Sequence, residues 1–520
     1  MIYTFMVLSI LVYLFAASLS ARHFIHMFQL NSYKPRVQAK WLFSHASTYM
    51  VVHLVVLVIA IALSVISTNS LIPLVLTAIL ILLTALPQLP KGNDKVPLKY
   101  TARVKRLIVT LAVLYIIPII LLWTIPMKIS VPLMALWIFL VPWMVLLANL
   151  INRPMELAIN QHYINDAKRI LADCPNLTVI GITGSFGKTS VKYFLDSLLS
   201  VKYNVLKTPG NFNTPLGVVK TIRGSLRATH DIFLCEMGAK NVGDIKEICD
   251  IVHPTHGIIT SVGEMHLESF GSIENVKKTK FELADAVKGK GMLFLNMDDE
   301  NIQSVAPSYD HISYGIDDRA GYYVTGLTIS EKGSQFTVHA PSGKSCKYRT
   351  PLIGRHNVVN ICGAIAVANS LGITLDELKA PARKLESVPH RLQLINKGDY
   401  TVIDDAYNSN PSGARAALEA LSMTDGMKIL VTPGMIELGS RQYELNKEFG
   451  TEVASVCDFV ALVGSAQTKP IHDGLTEAGY PEDKIYVSKS LNEAMQKVYS
   501  LTTEGKRKII LLENDLPDNY

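Results

Sequence analysis

The residues with the clearest chemical signature form a glycine-containing loop in the first half of the chain. The run Gly181–Ser190 reads GITGSFGKTS, follows an apolar strand-like segment and precedes a helix-like segment, Val191–Ser200. Glycines let backbone amides wrap around phosphate groups, and the first amides of the following helix point towards them. The strict spacing of such loops would place a glycine where this chain has Ile182. The order of strand, glycine turn, Lys-Thr pair and helix still predicts a nucleotide site.

Two side chains of this loop suit the phosphates of ATP. The ammonium of Lys188 can neutralise charge on the β- and γ-phosphates, and the Thr189 hydroxyl can bind Mg²⁺. We therefore expect ATP and Mg²⁺ as ligands, with the nucleotide held by Gly184, Ser185, Gly187, Lys188, Thr189 and Ser190.

Further segments rich in polar residues and glycine follow this loop in order. Together with it they resemble the Mur ligase family over residues 155–512, and the last two resemble its MurF branch. Enzymes of this family join an amine to a carboxylate with ATP, through an acyl phosphate. The segments are NFNTPLG (Asn211–Gly217), EMGAKNVGDI (Glu236–Ile245), ITSVGEMHLESFGS (Ile259–Ser272), KTKFEL (Lys278–Leu283), LNMDDE (Leu295–Glu300), GRHNVVN (Gly354–Asn360), VPHRL (Val388–Leu392), DDAYNSNP (Asp404–Pro411) and PGMIELGS (Pro433–Ser440).

The resemblance implies a catalytic set made of Lys188, Glu236, His266 and Lys280. Glu236 and Thr189 would hold one Mg²⁺, and His266 would bind a second. Lys280 matches a lysine that several Mur ligases carry as a carbamate, which would make it a carboxylate-like metal ligand. As an unmodified lysine it would repel Mg²⁺ or bind phosphate.

The resemblance also implies nucleotide contacts outside the loop. Asn296 matches a residue that contacts the base, and His356 and Asn357 match residues of the nucleotide pocket. Arg391 and Asp405 would reach the nucleotide from the last domain, which implies closure of that domain before chemistry.

Two polar loops would meet the substrates. Asn211, Asn213 and Thr214 match an acceptor-binding loop. For these three residues, and for the tyrosine and asparagine residues named next, an ordinary turn is the alternative interpretation. The residues expected to face the amino substrate are Tyr407, Asn408 and Asn410.

The first third of the chain is apolar. Five runs there are close to the ~20 residues that a helix needs to cross ~30 Å of hydrocarbon. No charged residue lies inside them, and residues 1–20 lack the basic start of a cleaved signal peptide. Residues 1–150 are therefore predicted to form a transmembrane bundle of about five helices. The runs are Ile2–Leu19, Ala46–Ile66, Leu71–Leu89, Leu107–Ile125 and Val131–Leu150.

The loops between the apolar runs differ in charge. The second loop, Ser67–Ser70, is uncharged and the fourth holds only Lys128. Basic loops remain in the cytoplasm, so we predict a multi-pass protein of the cell membrane with its N-terminus outside and its catalytic part in the cytosol. The first and third loops are the basic ones, with Arg22, Lys34, Arg36 and Lys40, then Lys91, Lys95, Lys99, Arg103, Lys105 and Arg106 against Asp94.

The rest of the chain has the pattern of an α/β protein. Short β-rich runs alternate with helical stretches, which predicts a parallel sheet with ligands at the carboxyl ends of its strands. With the resemblance, this implies a P-loop-type central Mur ligase domain at 151–388 and a Rossmann-like C-terminal Mur ligase domain at 389–520. The runs are Leu177–Ile182, Ile232–Glu236, Gly257–Ser261 and Met292–Asn296.

Composition excludes several other classes of protein. Of the 520 residues, 49% are hydrophobic and 18% charged, and the net charge is +6. No basic stripe of the kind that binds nucleic acid is present. The six cysteines form no CxxC pair, so neither a zinc site nor a disulfide framework is expected. The sequence does not indicate the oligomeric state.

The chain departs from the MurF pattern at both ends. MurF enzymes begin with a soluble domain that binds the uridine nucleotide of the acceptor, where this chain has its apolar helices. After the predicted strand Lys506–Leu512, a basic turn of MurF is replaced by the acidic run Glu513–Tyr520. That run either favours an amine with an ammonium or second positive charge, or is a frayed tail.

These features lead to one hypothesis and several alternatives. The main hypothesis is an amide ligase that couples an amino acid or small amine to a carboxylate on a membrane-bound or lipid-linked envelope glycan precursor, with membrane lipids as partners. The alternatives within the class are MurF-type addition of D-Ala-D-Ala to a muramoyl peptide and a poly-amino-acid synthetase. The alternatives outside it are an ATP-driven membrane transporter or a membrane nucleotide sensor, and the lack of charged residues inside the spans argues against transport.

Overall fold

The computed structural model describes residues 2–67, 71–89, 96–210, 212–316, 321–330, 333–406, 410–503 and 505–515. The chain divides into two compact units, with the division between Gln161 and His162. The predicted boundary between 150 and 151 lies inside helix α7 (Val141–Ala172). The helix continues past Leu150, where the fifth run ends, and the domain bounds stay a prediction.

The first unit is helical. Its apolar core is formed by side chains such as Tyr13, Phe24 and Phe28, while Val65 and Ile66 point outwards and are largely exposed. Exposed apolar side chains on a long helix suit contact with lipid rather than water. The helices that precede α7 are α1 (Ile2–Leu30), α2 (Pro35–Ser44), α3 (Ala46–Ile66), α4 (Leu71–Ala85), α5 (Ala102–Thr124) and α6 (Met127–Phe139).

Length and composition qualify three described segments as candidate membrane spans, namely Thr4–Leu30, Ala46–Ile66 and Leu71–Gln88. A fourth results if α6 and α7, which meet at a bend of 65°, are counted as one broken span. Within the described residues α5, which covers the fourth predicted run, is not among the candidates. The five predicted runs therefore lie in helices. Within the described residues, three or four of the five predicted spans meet the criteria of length and hydropathy for crossing a membrane.

A ladder of polar contacts joins α5 to α7. The Arg106 guanidinium donates to both carboxylate oxygens of Glu156, at 2.6 and 2.9 Å. Thr110 Oγ1 donates to Asn152 Oδ1 at 2.8 Å. Because Glu156 is buried, this bidentate ion pair fixes the register of the two helices.

The second unit starts with a sheet in the strand order β2-β3-β1-β4-β5-β6-β7-β8-β9 within the described residues. Strands β1 to β7 pair in parallel and β8 and β9 add an antiparallel edge. The four predicted β-rich runs are confirmed as β1, β3, β4 and β5. The strands are β1 (Thr178–Thr183), β2 (Val205–Lys207), β3 (Ile232–Glu236), β4 (His256–Ile259), β5 (Leu293–Asn296), β6 (Ile312–Gly315), β7 (Tyr322–Ser330), β8 (Gly333–His339) and β9 (Ser345–Thr350).

Helices cover both faces of this sheet. On β1, Ile180 and Ile182 pack in one apolar cluster and Val179 in another, because successive side chains of a strand point to opposite faces. The helices are α8 (Lys188–Leu199), α9 (Pro215–Ser225), α10 (Asp244–Val252), α11 (Leu267–Phe270), α12 (Ile273–Val287), α13 (Glu300–Gln303), α14 (Arg355–Ser370) and α15 (Lys379–Ala382).

A second sheet follows in the order β10-β11-β15-β12-β13-β14 within the described residues. All its neighbours are parallel except β10 and β11. This Rossmann-like arrangement agrees with the predicted C-terminal domain. Its elements are β10 (Gln393–Asn396), β11 (Tyr400–Asp405), α16 (Pro411–Ser422), β12 (Met427–Thr432), α17 (Gln442–Ala454), β13 (Phe459–Val463), α18 (Ser465–Glu477), β14 (Ile485–Ser488), α19 (Leu491–Ser500) and β15 (Lys508–Glu513).

Candidate active site

The glycine loop connects β1 to α8 and is tightly packed. Gly184 and Gly187 have φ values of +155° and +80°, the region in which side chains are strained. A Cβ on Gly184 would lie 2.1 Å from Thr260 Oγ1, and one on Gly187 would lie 2.9 Å from Asn360 Oδ1. The loop therefore requires glycine at both positions, and its backbone is free to approach a ligand.

The end of β4 holds the loop in place. The backbone amides of Ser185 and Phe186 donate to the carbonyl oxygen and Oγ of Ser261, both at 2.8 Å. The Gly263 amide donates to Ser185 Oγ at 2.9 Å. Ser185 is thus a buried support of the loop, while Ser190 lies in the first turn of α8.

Lys188 lies at the centre of the site. Its ammonium donates to the carbonyl oxygens of Gly184 and Ser185, at 2.8 and 3.0 Å. Burial lowers the pKa of Lys188 to about 8; the charge of Glu236 opposes the shift and that of Arg391 adds to it. An ammonium that is held, in the part of the chain that the structure describes, by carbonyl oxygens is poised to exchange them for phosphate oxygens.

Glu236 ends β3 and is 1% exposed. Its Oε1 accepts hydrogen bonds from Thr189 Oγ1 and Asn213 Nδ2, both at 3.1 Å. Burial opposes ionisation of Glu236, but the charges of Lys192 and Lys188 outweigh it and lower the pKa of the carboxyl group. Glu236 is therefore ionised beside the Thr189 hydroxyl, as the resemblance implies.

Lys192 is a site residue that the sequence interpretation missed. It is fully buried and donates to Glu236 Oε2 at 2.8 Å and to the Gly210 carbonyl oxygen at 2.6 Å. Burial lowers the pKa of Lys192 and the charge of Glu236 opposes the shift. Its signal was present in the sequence, because Lys192 lies one helical turn after Lys188 and so on the same face of α8.

Lys280 lies on α12 and is 2% exposed. In the described part of the chain, no carboxylate lies within ion-pair distance of its ammonium. Burial, together with the charge of Lys188, lowers the pKa of Lys280 to about 7. Much of this lysine is therefore neutral at physiological pH, which is the form that can react with carbon dioxide.

His266 precedes α11 with φ at +52°. Its Nδ1 is hydrogen-bonded to Oε2 of Glu437, a residue of the C-terminal domain that the sequence interpretation did not single out. Burial lowers the pKa of His266, Glu437 opposes the shift and Lys240 adds to it. Burial likewise opposes ionisation of Glu437, yet His266 and Lys240 lower the pKa of Glu437 to about 2.

Two further contacts join the same surfaces. Lys240 Nζ donates to Glu437 Oε1 at 3.1 Å, and the Arg441 guanidinium pairs with Glu264. Lys240, Glu264 and His266 belong to loops at the carboxyl ends of β3 and β4, whereas Glu437 and Arg441 follow β12. The C-terminal domain thus contacts the loops that carry the predicted catalytic residues.

Arg391 and Asp405 are the residues predicted to act from the C-terminal domain. Asp405 Oδ1 accepts a hydrogen bond from the Leu392 amide at 3.1 Å. Burial raises the pKa of Asp405 to about 6, although the charge of Arg391 opposes the shift. The charge of Arg391 also lowers the pKa of Lys188, and the contact of Arg391 with the nucleotide stays a prediction.

The other predicted nucleotide residues make hydrogen bonds or are buried near the ends of β5 and α14. Asn296 Nδ2 donates to the Thr260 carbonyl oxygen at 2.9 Å, and Asn357 Nδ2 donates to that of Ile353 at 2.8 Å. Burial lowers the pKa of His356 to about 4, and its Nδ1 is enclosed without a hydrogen-bond partner among the described residues. Asn360, which packs on Gly187, was not singled out although it ends the GRHNVVN segment.

The residues predicted to bind substrates divide into two groups. Asn213 contacts Glu236, whereas Thr214 and Asn410 cap the N-termini of α9 and α16 by accepting from Gly217 and Gly413. The capping contacts agree with the turn interpretation for Thr214 and Asn410. Three of the predictions lie outside the described residues: Asn211, Tyr407 and Asn408.

Glu513 lies at the carboxyl edge of the second sheet. It is 1% exposed, and its Oε2 accepts a hydrogen bond from Thr432 Oγ1 at 3.0 Å. Asn514 Nδ2 donates to the Gly434 carbonyl oxygen at 2.6 Å. The frayed-tail interpretation is therefore wrong for Glu513 and Asn514, because Glu513 is bonded to the last residue of β12 and Asn514 to the turn that follows it.

The oxygen donors of the site suit magnesium. Within the described residues, no three His, Cys, Asp or Glu side chains converge as a ligand cluster. Mg²⁺ needs no such cage, because it usually binds one or two protein oxygens together with phosphate and water. The adjoining hydroxyl of Thr189 and carboxylate of Glu236 provide such a pair beside the glycine loop.

Fold and site together define an ATP-dependent ligase, and comparison with known proteins identifies its family. The chain matches the Mur ligase middle domain over residues 182–368 and the Mur ligase glutamate ligase domain over residues 390–512. It belongs to the Mur ligase family, and it is an ADP-forming enzyme that joins a carboxylate to an amine. This assignment corrects the transporter and nucleotide-sensor alternatives.

Its relatives are MurF enzymes. The chain is 31% identical over 386 residues to the UDP-N-acetylmuramoyl-tripeptide–D-alanyl-D-alanine ligase of Escherichia coli. The matched region covers 70% of this chain and 84% of the relative. The crystal structure of MurF from Acinetobacter baumannii matches with a TM-score of 0.63 and 27% identity, over 69% of this chain and 78% of that one. MurF from Thermotoga maritima, solved with ADP, matches with a TM-score of 0.61 and 26% identity, over 68% and 80%.

Proposed function

We propose that this protein is a membrane-anchored amide ligase that couples an amino acid or small amine to a carboxylate of a membrane-bound or lipid-linked envelope precursor. The observation that carries the proposal is the presence, in one chain, of candidate membrane spans and a MurF-like site. Three described helices qualify as spans, while Lys188, Glu236, His266 and Lys280 are grouped in the second unit. A ligase held at the bilayer gains proximity to an acceptor held there too.

The chemistry follows from the reaction class. A carboxylate oxygen of the acceptor attacks the γ-phosphorus of ATP, and the bond from that phosphorus to ADP breaks. The amine nitrogen then attacks the acyl carbon, phosphate leaves with the bonding electrons, and the nitrogen loses a proton. The products are an amide, ADP and phosphate.

Residues of this chain serve the first step by position and charge. Lys188 neutralises phosphate oxygens once it leaves the loop carbonyls, and Arg391 adds a second cation from the C-terminal domain. Thr189 and Glu236 would hold Mg²⁺, and the ion would supply positive charge to shield the phosphates. Asp405 accepts a hydrogen bond from the Leu392 amide, and the charge of Arg391 favours its ionised form, so it would act on the nucleotide from the C-terminal domain.

Lys280 is included in the proposal as a carbamate. A neutral amine buried beside the charge of Lys188 is reactive towards carbon dioxide, and the carbamate that forms carries the negative charge that Lys188 attracts. With His266 it would complete a second magnesium site. As an unmodified cation, Lys280 would place two positive charges next to each other in a buried region.

The membrane arrangement belongs to the same proposal. Loops at 67–70 and around Lys128 would face outwards and the basic loops inwards, which places the N-terminus outside. The ligase domains then lie in the cytosol, where ATP is available.

ATP turnover with defined acceptors tests the proposal. The full chain in nanodiscs is supplied with ATP, Mg²⁺, an amino acid mixture and lipid extract of its source membrane, and ADP release and labelled amide products are measured. Product that partitions with lipid is expected. The proposal is abandoned if no lipid fraction stimulates ADP release while the soluble muramoyl tripeptide and D-Ala-D-Ala do.

Turnover with the soluble muramoyl tripeptide and D-Ala-D-Ala would support the competing candidate function, MurF-type addition of D-Ala-D-Ala. It is favoured by the 31% identity to an enzyme that uses D-alanyl-D-alanine. A poly-amino-acid synthetase would instead give products of graded length on electrophoresis. The three outcomes differ in the solubility and size of the labelled product, so one assay separates them.

A further inference from the structure

The contact between His266 and Glu437 crosses from one sheet of the ligase to the other. His266 follows β4 and Glu437 follows β12, 171 positions later in the chain. Both residues have positive φ, at +52° and +62°. Non-glycine residues in this region are strained and tend to be retained where function requires the geometry.

The hydrogen bond fixes the form of the imidazole ring. An ionised carboxylate can only accept, so Nδ1 of His266 must carry the hydrogen. The same bond fixes the orientation of the ring, because Nδ1 is held on Glu437 Oε2. Nε2, on the other side of the ring, is then the nitrogen through which His266 would bind a metal ion.

A carboxylate on the second nitrogen is a known device for orienting metal-binding histidines. Here the carboxylate comes from the other domain, and Lys240 Nζ holds it in place at 3.1 and 3.3 Å from its two oxygens. Glu437 thus lies between a cation of the middle domain and the histidine.

We propose that Glu437 is a positioning residue that makes His266 competent to bind the second divalent cation only when the C-terminal domain is docked. Docking of the C-terminal domain and assembly of the metal site thereby occur together. ATP is then not activated while the two ligase domains are apart. This inference rests on the proposed role of His266 at the ligase site, and it does not depend on the identity of acceptor or amine.

The neighbouring pair Arg441–Glu264 provides a matched comparison. It joins the same two surfaces but does not contact His266. Removing it weakens docking alone, whereas removing the Glu437 carboxylate weakens docking and releases the ring. Glu448, paired with Arg415 within the C-terminal domain, is a control for loss of a glutamate.

Binding of Mn²⁺ with ADP tests the proposal without any turnover. The full chain in nanodiscs is titrated with Mn²⁺ at saturating ADP and followed by electron paramagnetic resonance, with pulsed measurements for coupling to histidine nitrogen. The wild type should show nitrogen coupling that His266→Ala abolishes. Glu437→Ala should weaken one Mn²⁺ site by about 10–100-fold and reduce that coupling, and Glu437→Gln should retain part of both.

Three results would overturn it. One is a wild-type spectrum without histidine coupling, and another is an unchanged Mn²⁺ affinity in Glu437→Ala. The third is an equal loss in Arg441→Ala, which would show that docking alone matters. Thermal unfolding of each variant, with Glu448→Gln as reference, verifies that the variants are folded. Failure to find a lipid-linked acceptor would leave all of these measurements unaffected.

Discussion

The ammonium of Lys192 lies 2.8 Å from Oε2 of Glu236, and neither side chain is more than 1% exposed. The other carboxylate oxygen accepts from Thr189 and Asn213. Lys192 therefore supplies the positive charge that keeps a buried carboxylate ionised before any metal or nucleotide binds. Helix α8 thus contributes Lys188 of the glycine loop and also Lys192, the cation that keeps the proposed metal ligand Glu236 ionised.

Substituting Lys192 should destabilise the protein and disturb the site. Lys192→Met leaves Glu236 as a buried carboxylate without its partner, and removal of one member of such a pair costs about 3–5 kcal/mol. Urea unfolding should show this loss, and the double variant with Glu236→Gln should recover most of it. Lys246→Met, which removes an exposed pair with Asp250, should cause little change. Equal effects of Lys192→Met and Lys246→Met would contradict the assigned role.

Gly187→Ala should impair nucleotide binding. The φ value of +80° costs an alanine roughly 1–2 kcal/mol, and its Cβ would crowd Asn360. If the loop shifts to relieve this, ADP affinity measured by calorimetry should fall by about tenfold or more. Gly289→Ala has a similar φ of +71° but open space around it, so it should lose stability without losing ADP affinity. Unchanged ADP binding by Gly187→Ala would argue against the loop as the phosphate site.

The stability of the protein should increase with pH because of Lys280. Burial lowers the pKa of Lys280 from 10.5, the ordinary value of a lysine, to about 7 in the folded state. Between these values the unfolded chain binds more protons, so the free energy of unfolding increases as pH is raised. In buffer free of carbon dioxide, Lys280→Met should reduce this slope, leaving a smaller contribution from Lys188. Lys278→Met, an exposed change on the same helix, should leave the slope as it is; a slope unaltered by Lys280→Met would show that Lys280 is not the source.

Ligase activity should depend on a carboxylate-like group at position 280. Lys280→Ala should abolish amide formation, and short carboxylic acids should restore part of it by filling the vacated space. With ¹³C-bicarbonate, the wild type should show a carbamate signal that Lys280→Ala lacks and Lys278→Ala retains. Activity that survives Lys280→Ala would rule out the carbamate.

Sequence reasoning predicted the grouping of the site because the carboxyl ends of parallel strands converge. Glu236 ends β3, His266 follows β4 and Asn296 ends β5, so the strand order places all three at the same edge of the sheet. It did not find Glu437, because the contact with His266 depends on docking between two separate sheets. The residues Thr214 and Asn410 resembled substrate contacts, but helix capping demands the same residue types.

The length of α7 was also missed, for a physical reason. Hydropathy ends the fifth run at Leu150, yet the helix continues to Ala172 through a polar stretch that includes Pro154. Composition shows where the apolar part of the helix ends, whereas backbone hydrogen bonds determine where the helix itself ends.

The membrane topology can be tested by cysteine labelling in intact cells. The six native cysteines are buried, so background reaction with a membrane-impermeant maleimide should be low. Ser67→Cys and Lys128→Cys should be labelled from outside, because their loops lack the basic residues that retain a segment in the cytoplasm. Lys40→Cys and Lys99→Cys should react only after the cells are opened. Labelling of Lys99→Cys in intact cells would reverse the topology, and it would place the ligase domains on the side without ATP.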